Sequence, residues 1–238
     1  MTRLNSRALE KIRALKFNYN FTSTPSGSVL VEAGKTQVLC TASVSKGVPK
    51  WLNGTNQGWL TAEYAMLPGA VEGRKKREYE RRDGRSIEIQ RLIGRALRAA
   101  IDLRSFPGIT LHIDCDVIQA DGGTRCASIC GAMMALQEAA NHLQEKGVLQ
   151  SWPIKYRIAA VSVGMVDNEA LLDLDYSEDS KADVDMNVIA TEEGELIEVQ
   201  GTAEGAPFSL ESHDKLIKLA MKGIKDIFEV MKPCANAY

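Results

Sequence analysis

The sequence predicts an α+β fold, a sandwich of β-sheets with a few long helices packed on them. Three observations carry that expectation. Short runs of strand-like residues come in hairpin pairs, three long segments repeat their apolar residues at helical spacing, and no Pro/Ser-rich linker or low-complexity stretch divides the chain.

Residues 28–32 and 36–44 read as two strands joined through Ala33-Gly34-Lys35, and residues 59–64 as another. Ser86 is a fitting N-cap for a helix over 86–103, whose Ile89, Leu92, Ile93, Ala96 and Leu97 recur at helical spacing. A strand over 109–118 leads into a helix over 124–146, apolar at Ile129, Met133, Leu136 and Leu143 and stopped by Gly147. The pattern then partly recurs. Residues 156–166 and 170–174 make a second hairpin, 185–190 and 196–200 further strands, and 212–231 a terminal helix carrying Leu216, Leu219, Ala220, Ile224 and Ile227. The halves share this order without a residue-level repeat, so a single domain is expected.

The chain has 238 residues, 45% hydrophobic and 25% charged, an ordinary globular composition. A net charge of −2 means that any contact with nucleic acid must come from a local patch. Five cysteines without a C-x-x-C pair argue against a disulfide framework, and Cys126 and Cys130 read as small buried side chains. His112, His142 and His213 are too scattered to give zinc a ligand set. No apolar run approaches the ~20 residues that a membrane helix needs, so no membrane partner is expected. The first sixteen residues are basic (Arg3, Arg7, Lys11, Arg13, Lys16), which allows an organellar leader, but a cytoplasmic location is the expectation.

Three local features point to chemistry. The turn Gln119-Ala-Asp-Gly-Gly-Thr-Arg125 follows a strand and opens a helix, so its backbone N–H groups and the Arg125 guanidinium can cradle a phosphate. It matches neither the G-x-x-x-x-G-K-[ST] loop nor the G-x-G-x-x-G fingerprint. Upstream, Arg74, Lys75, Lys76, Arg77, Arg81, Arg82 and Arg85 sit in a stretch, residues 73–85, whose sole large apolar residue is Tyr79; it reads as an exposed loop able to grip a polyanion. Arg91, Arg95 and Arg98 lie together on a helix face, where solvation or pairing accounts for them. Between Asp167 and Glu204 the balance reverses, with thirteen acids and Lys181 as the one base. Asp179 and Asp185 are candidates for holding Mg²⁺ or for protonating a leaving oxygen, but periodicity does not separate them from Asp173, Asp175, Glu178 or Asp183.

Several stretches together resemble the ribonuclease PH family, in that family's order: Gly58-Trp-Leu-Thr-Ala-Glu-Tyr-Ala-Met-Leu-Pro, Gly84-Arg-Ser-Ile-Glu-Ile-Gln-Arg-Leu-Ile-Gly-Arg-Ala-Leu-Arg, Asp114-Cys-Asp-Val-Ile-Gln-Ala-Asp-Gly-Gly-Thr-Arg, Asp185-Met-Asn-Val and Glu198-Val-Gln-Gly-Thr-Ala-Glu-Gly. The resemblance implies a ribonuclease PH-like sandwich of two β-sheets with packed α-helices. It also implies a phosphorolytic 3′→5′ exoribonuclease that trims the 3′ ends of tRNA precursors with inorganic phosphate as co-substrate and releases nucleoside diphosphates. RNA is then the polymer partner rather than DNA, and the assembly a homohexamer built as a trimer of dimers. The family's phosphate site falls on Arg85, Gly123, Thr124 and Arg125, its acidic pair with Mg²⁺ on Asp179 and Asp185, and its RNA-gripping arginines on Arg74 and Arg77.

The chain also departs from the family pattern. Leu67-Pro-Gly69 stands where Leu-Pro-Arg is usual, the loop between Arg77 and Arg85 is about two residues shorter, Ser86 replaces a threonine, and Leu4-Asn5-Ser6-Arg7 replaces Asp-Gly-Arg. These differences leave room for a catalytically inactive ring subunit acting as an RNA-binding scaffold. A phosphate-dependent enzyme acting on free nucleosides would explain the cradle but leave the basic loop without a role.

Overall fold

A computed structural model describes residues 3, 6–77, 83–149 and 151–232 of the chain. Strands β1 (Leu15–Tyr19), β2 (Gly27–Ala33) and β3 (Thr36–Lys46) form an antiparallel meander. Next, β4 (Trp59–Met66) and β5 (Ile109–Gln119) pair in parallel with α1 (Gly84–Ala100) as the crossover, giving a first sheet of order β1-β2-β3-β5-β4. Helix α2 (Thr124–Glu145) leads to β6 (Ile158–Val166), β7 (Glu169–Leu172), the one-turn α3 (Tyr176–Asp179), β8 (Val184–Thr191), β9 (Leu196–Ala203) and α4 (Leu210–Val230). The second sheet is antiparallel throughout, in order β7-β6-β8-β9. Two sheets with packed helices match the α+β expectation.

Local sequence accounts for most of these elements. Val38, Cys40 and Ala42 alternate with less buried neighbours along β3, as a strand buried on one face requires. In β6 nearly every residue is buried, and its sequence is apolar apart from Ser162, whose hydroxyl accepts the Leu174 N–H at 3.1 Å. Helix α2 packs on β2 and β3 of the first sheet and on β6 of the second, and buried residues cover its whole circumference. Side chains from both sheets therefore share one core. Among the described residues no helix is long and apolar enough to cross a membrane.

Several boundaries differ from the sequence reading. Helix α1 starts at Gly84, because the Asp83 carboxylate accepts the N–H of Arg85 at 3.3 Å; Ser86 is buried inside the first turn rather than capping it. It ends at Ala100, since Ile101 is extended and bridges Ile154. Helix α4 starts two residues early, at Leu210, where the Ser209 hydroxyl accepts the N–H of Ser212 at 3.1 Å. Strand β1 was not expected at all. Of the basic loop, Arg74 and Arg77 are exposed, whereas residues 78–82, including Arg81 and Arg82, lie outside the described residues.

The contact between β2 and α2 is close enough to be tested. A Cβ on Gly27 would lie 2.0 Å from the backbone oxygen of Ala135, so Gly27→Ala must push the strand and helix apart. The expected loss is about 2–3 kcal/mol of unfolding free energy, measured by urea denaturation; an unchanged midpoint would show that the two backbones are not in contact.

Candidate functional site

The turn over residues 119–125, expected from the sequence to cradle a phosphate, is held open by glycine and clamped from behind. Gly122 and Gly123 have φ of 75° and 64°, left-handed values that residues with a Cβ rarely adopt. A Cβ at Gly122 would also fall 2.6 Å from the backbone of Asp175, so the turn lies directly against the loop that leads into α3. The Thr36 hydroxyl donates to the Gly122 carbonyl at 2.8 Å and accepts the Asp121 N–H at 2.9 Å. Gly123 caps α2 without a side-chain acceptor, which leaves the first-turn N–H groups without a side-chain cap.

Four of the expected site residues meet in one open cleft of about 840 Å³. Arg85 enters from the start of α1, Arg125 from the first turn of α2, Asp179 from the end of α3 and Asp185 from β8, with Glu88, Gln200 and Glu204 around them. Gly123 and Thr124 adjoin Arg125 but do not line the cleft. Thr124 is buried, and its hydroxyl pairs with that of Tyr64 at 2.9 Å. The Arg125 guanidinium has only long contacts, 3.5 Å to Glu88 and 3.4 Å to Gln200, and Arg85 is exposed, its guanidinium without a hydrogen-bond or ion-pair partner among the described residues. Both cations are thus free to turn toward an anion.

The two acids have the opposite character. Burial pushes the Asp185 carboxyl up to about 6; Asp179 adds to the shift, while Arg125, a hydrogen bond from Asn187, and Arg85 oppose it. Burial likewise raises Asp179, against the pull of Arg85 and Arg125. One Asp185 oxygen, Oδ1, is buried without a hydrogen-bond partner, and Oδ2 has Asn187 at 3.5 Å. An unsatisfied buried carboxylate oxygen beside a second carboxylate favours a proton or a cation there.

Three of the neighbouring acids, Asp173, Asp175 and Glu178, are committed elsewhere, which the sequence did not reveal. Glu178 is buried and forks onto Arg3 at 2.7 and 2.8 Å, and it closes a capping box with Asp175 at the start of α3. Arg7 reaches Glu178 at 3.2 Å and Asp173 at 3.6 Å. Arg13 pairs with Asp173 at 2.7 Å; burial alone would raise that carboxyl, but the Arg13 charge and hydrogen bonds outweigh it and hold it low. The N-terminal arginines, read in the sequence as a basic leader-like stretch, are therefore the partners of the acidic loop beneath α3. Asp183 is exposed, and its N–H donates to Met165.

The remaining basic residues separate in the same way. Arg95 pairs with Glu198 at 2.6 Å, and Arg98 lies 4.6 Å from the centre of the Trp59 ring. Arg74 and Arg77 stay exposed outside the cleft, on chain tied to the start of α1 by Lys75, whose ammonium donates to Asp83 at 3.1 Å. Gly69 lies in a short 3₁₀ turn over Pro68–Ala70, and its Cβ direction meets nothing within 4 Å. Cys126 and Cys130 are buried as expected, and burial pushes the Cys130 thiol up to about 12, so neither serves as a nucleophile at neutral pH. Among the described residues no group of three or more His, Cys, Asp or Glu is placed to hold a metal.

Comparison with known proteins identifies the fold and the family. Solved structures of the same fold include rice (Oryza sativa) Rrp46, 17% identical with a TM-score of 0.78 over 96% of this chain and 98% of that one. The Archaeoglobus fulgidus exosome with RNA bound to the active site is 21% identical with a TM-score of 0.83, covering 97% of this chain and 92% of its own. An archaeal exosome core is 20% identical with a TM-score of 0.77, covering 96% and 90%. Residues 11–140, which carry Arg85 and Arg125, match "3' exoribonuclease family, domain 1", and residues 156–223, which carry Asp179 and Asp185, match "3' exoribonuclease family, domain 2". By these matches the chain belongs to the ribonuclease PH family of 3′ exoribonucleases.

Proposed function

We propose that the protein is a phosphorolytic 3′→5′ exoribonuclease that trims tRNA precursors as a homohexamer in the cytoplasm. The observation that carries the activity is the convergence of two under-partnered guanidinium groups and two carboxyls of raised pKa in one cleft. Phosphorolysis must bring a phosphate dianion beside a phosphodiester, and repulsion between the two is the obstacle. Arg85 and Arg125, with the free N–H groups at the start of α2, neutralise and orient the nucleophile. Its oxygen attacks the last phosphorus, the bond to the preceding 3′ oxygen breaks, and a nucleoside diphosphate leaves. The departing 3′ oxygen needs a proton, which Asp185, titrating near 6, is suited to hold. Both bonds exchanged are phosphate linkages, so excess nucleoside diphosphate extends RNA in the reverse direction.

In place of that proton, the ionised Asp179 and Asp185 fit Mg²⁺. The donors are hard oxygens, one of them buried and unsatisfied, and two carboxylates with water and substrate oxygens suffice for this ion. When bound, Mg²⁺ supplies charge neutralisation at the scissile group. The rival reading, an inactive RNA-binding scaffold, draws on the missing side chain at Gly69, but scaffolding has no need of a buried acid facing two arginines.

The deciding assay incubates 3′-extended tRNA with and without inorganic phosphate and follows nucleoside diphosphates. Release only with phosphate is expected, and Arg125→Ala should lose roughly one to two decades of rate at limiting phosphate while keeping RNA affinity. Near-normal turnover by that variant would remove Arg125 from the site; no diphosphate from the wild type would favour the scaffold. RNA contacts are tested by salt. Losing Arg74 or Arg77 should weaken binding and flatten the slope of log Kd against log salt by about 0.7 each, whereas Gly69→Arg, entering open space, should steepen it. An unchanged slope in all three excludes these contacts.

A third test concerns pH. The folded-state pKa of Asp185 lies above the usual 3.8, so the native protein holds a proton that the unfolded chain releases. Stability therefore falls as pH rises from that value to about 6, and the cost is full above it. Asp185→Asn should stabilise the metal-free protein at pH 7 by on the order of 1–3 kcal/mol, and Mg²⁺ should raise the Tm of the wild type more than that of the variant. A less stable variant at pH 7, or equal Mg²⁺ responses, would contradict the assignment.

A further inference from the structure

Arg13 lies outside the cleft yet bonds to both loops that shape it. Its Nε and one terminal nitrogen fork onto the Asp173 carboxylate at 3.0 and 2.7 Å, and its backbone N–H adds a third bond at 2.7 Å. The other terminal nitrogen donates to the Asp121 carbonyl at 2.6 Å and stands 3.5 Å from that of Gly122. One of these loops continues into α2 and Arg125, and the other into α3 and Asp179. The guanidinium is packed tightly into this place: its side chain is 7% exposed, and a Cβ on Gly123 would come within 2.7 Å of it. Asp173 itself has φ of 56°, a left-handed value costly for a residue with a side chain, and the three Arg13 bonds hold it there.

We propose that Arg13 is a positioning residue that sets the distance between the phosphate-binding turn and the Asp179/Asp185 pair. This inference rests on the phosphorolytic reading of the cleft. Arg13 touches no substrate and moves no proton. Its contribution is geometric, because a planar guanidinium fixes a carboxylate and a carbonyl on different edges at once, while an ammonium holds charge without fixing direction. Thr36 braces the turn alone and does not reach Asp173, so it separates the two functions.

The test compares Arg13→Lys and Thr36→Val with the wild type, measuring kcat, the KM for phosphate, the KM for RNA and the rise in Tm caused by inorganic phosphate. Arg13→Lys should raise the phosphate KM roughly ten- to a hundredfold and also lower kcat, with the RNA KM changed less than about twofold. Thr36→Val should raise the phosphate KM while largely keeping kcat. A purely structural Arg13 would lower the Tm but leave the phosphate KM at its wild-type value well below melting, and that result overturns the proposal. Should Arg13→Lys fail to fold, Asp173→Asn breaks the same link and carries the same expectations. A wild type that releases no diphosphates overturns the phosphorolytic reading instead. In that event a phosphate-induced rise in Tm present in the wild type and lost in Arg13→Lys still supports the positioning role, and an equal rise in both, or none in either, overturns it.

Discussion

The burial of α2 is the constraint from which the site follows. Because this helix lies against β2 and β3 on one side and β6 on another, its start is held where loops from both sheets come together. The close approach to Gly27 leaves little freedom to slide. Arg125 on its first turn then needs only a short reach to meet Arg85 from the first half of the chain and Asp179 and Asp185 from the second. The candidate site sits at this junction because a buried helix can present N–H groups left over from its own ladder only at an end that faces a cleft.

Electrostatics around the cleft divide by partner rather than by residue type. Asp173, Asp175 and Glu178 are as buried as the cleft acids or more so, yet the N-terminal arginines and the capping box satisfy them. Asp185 and Asp179 receive no such bonds and face Arg85 and Arg125 across open space, so burial dominates and their pKa values rise. The same segment of chain therefore supplies both rigid support and the two unpaired cleft acids. A buried ion pair contributes little net stability after desolvation, but it fixes geometry, which is what the α3 loop requires.

Much of this was legible in the sequence where local periodicity is strong. Helices α2 and α4 and the β2–β3 hairpin follow directly from their apolar spacing. Strand β1 was not legible, because Leu15-Lys-Phe-Asn-Tyr is a half-polar edge strand in which only Phe17 is counted in the core. The start of α1 was misplaced since Asp83 and Ser86 are both good caps three residues apart, and only the hydrogen bond to Arg85 distinguishes them. Periodicity could not separate the acids, for their partners lie some 160 or more residues away in sequence. The family motifs singled out Asp179 and Asp185, which the fold brings to the cleft. The partnership of Arg3, Arg7 and Arg13 with the acidic loop had no local signal beyond their number.

Cys40, Cys115, Cys126 and Cys130 line the inside of this same junction, all buried. Cys40 and Cys115 both lie near the Ser128 carbonyl, and burial pushes the Cys40 and Cys126 thiols well above the usual thiol range, which keeps them protonated at neutral pH. A small alkylating reagent could reach these sulfurs only when the helix and sheets part. Their modification would clock transient opening of the interior, separately from any fluctuation at the periphery.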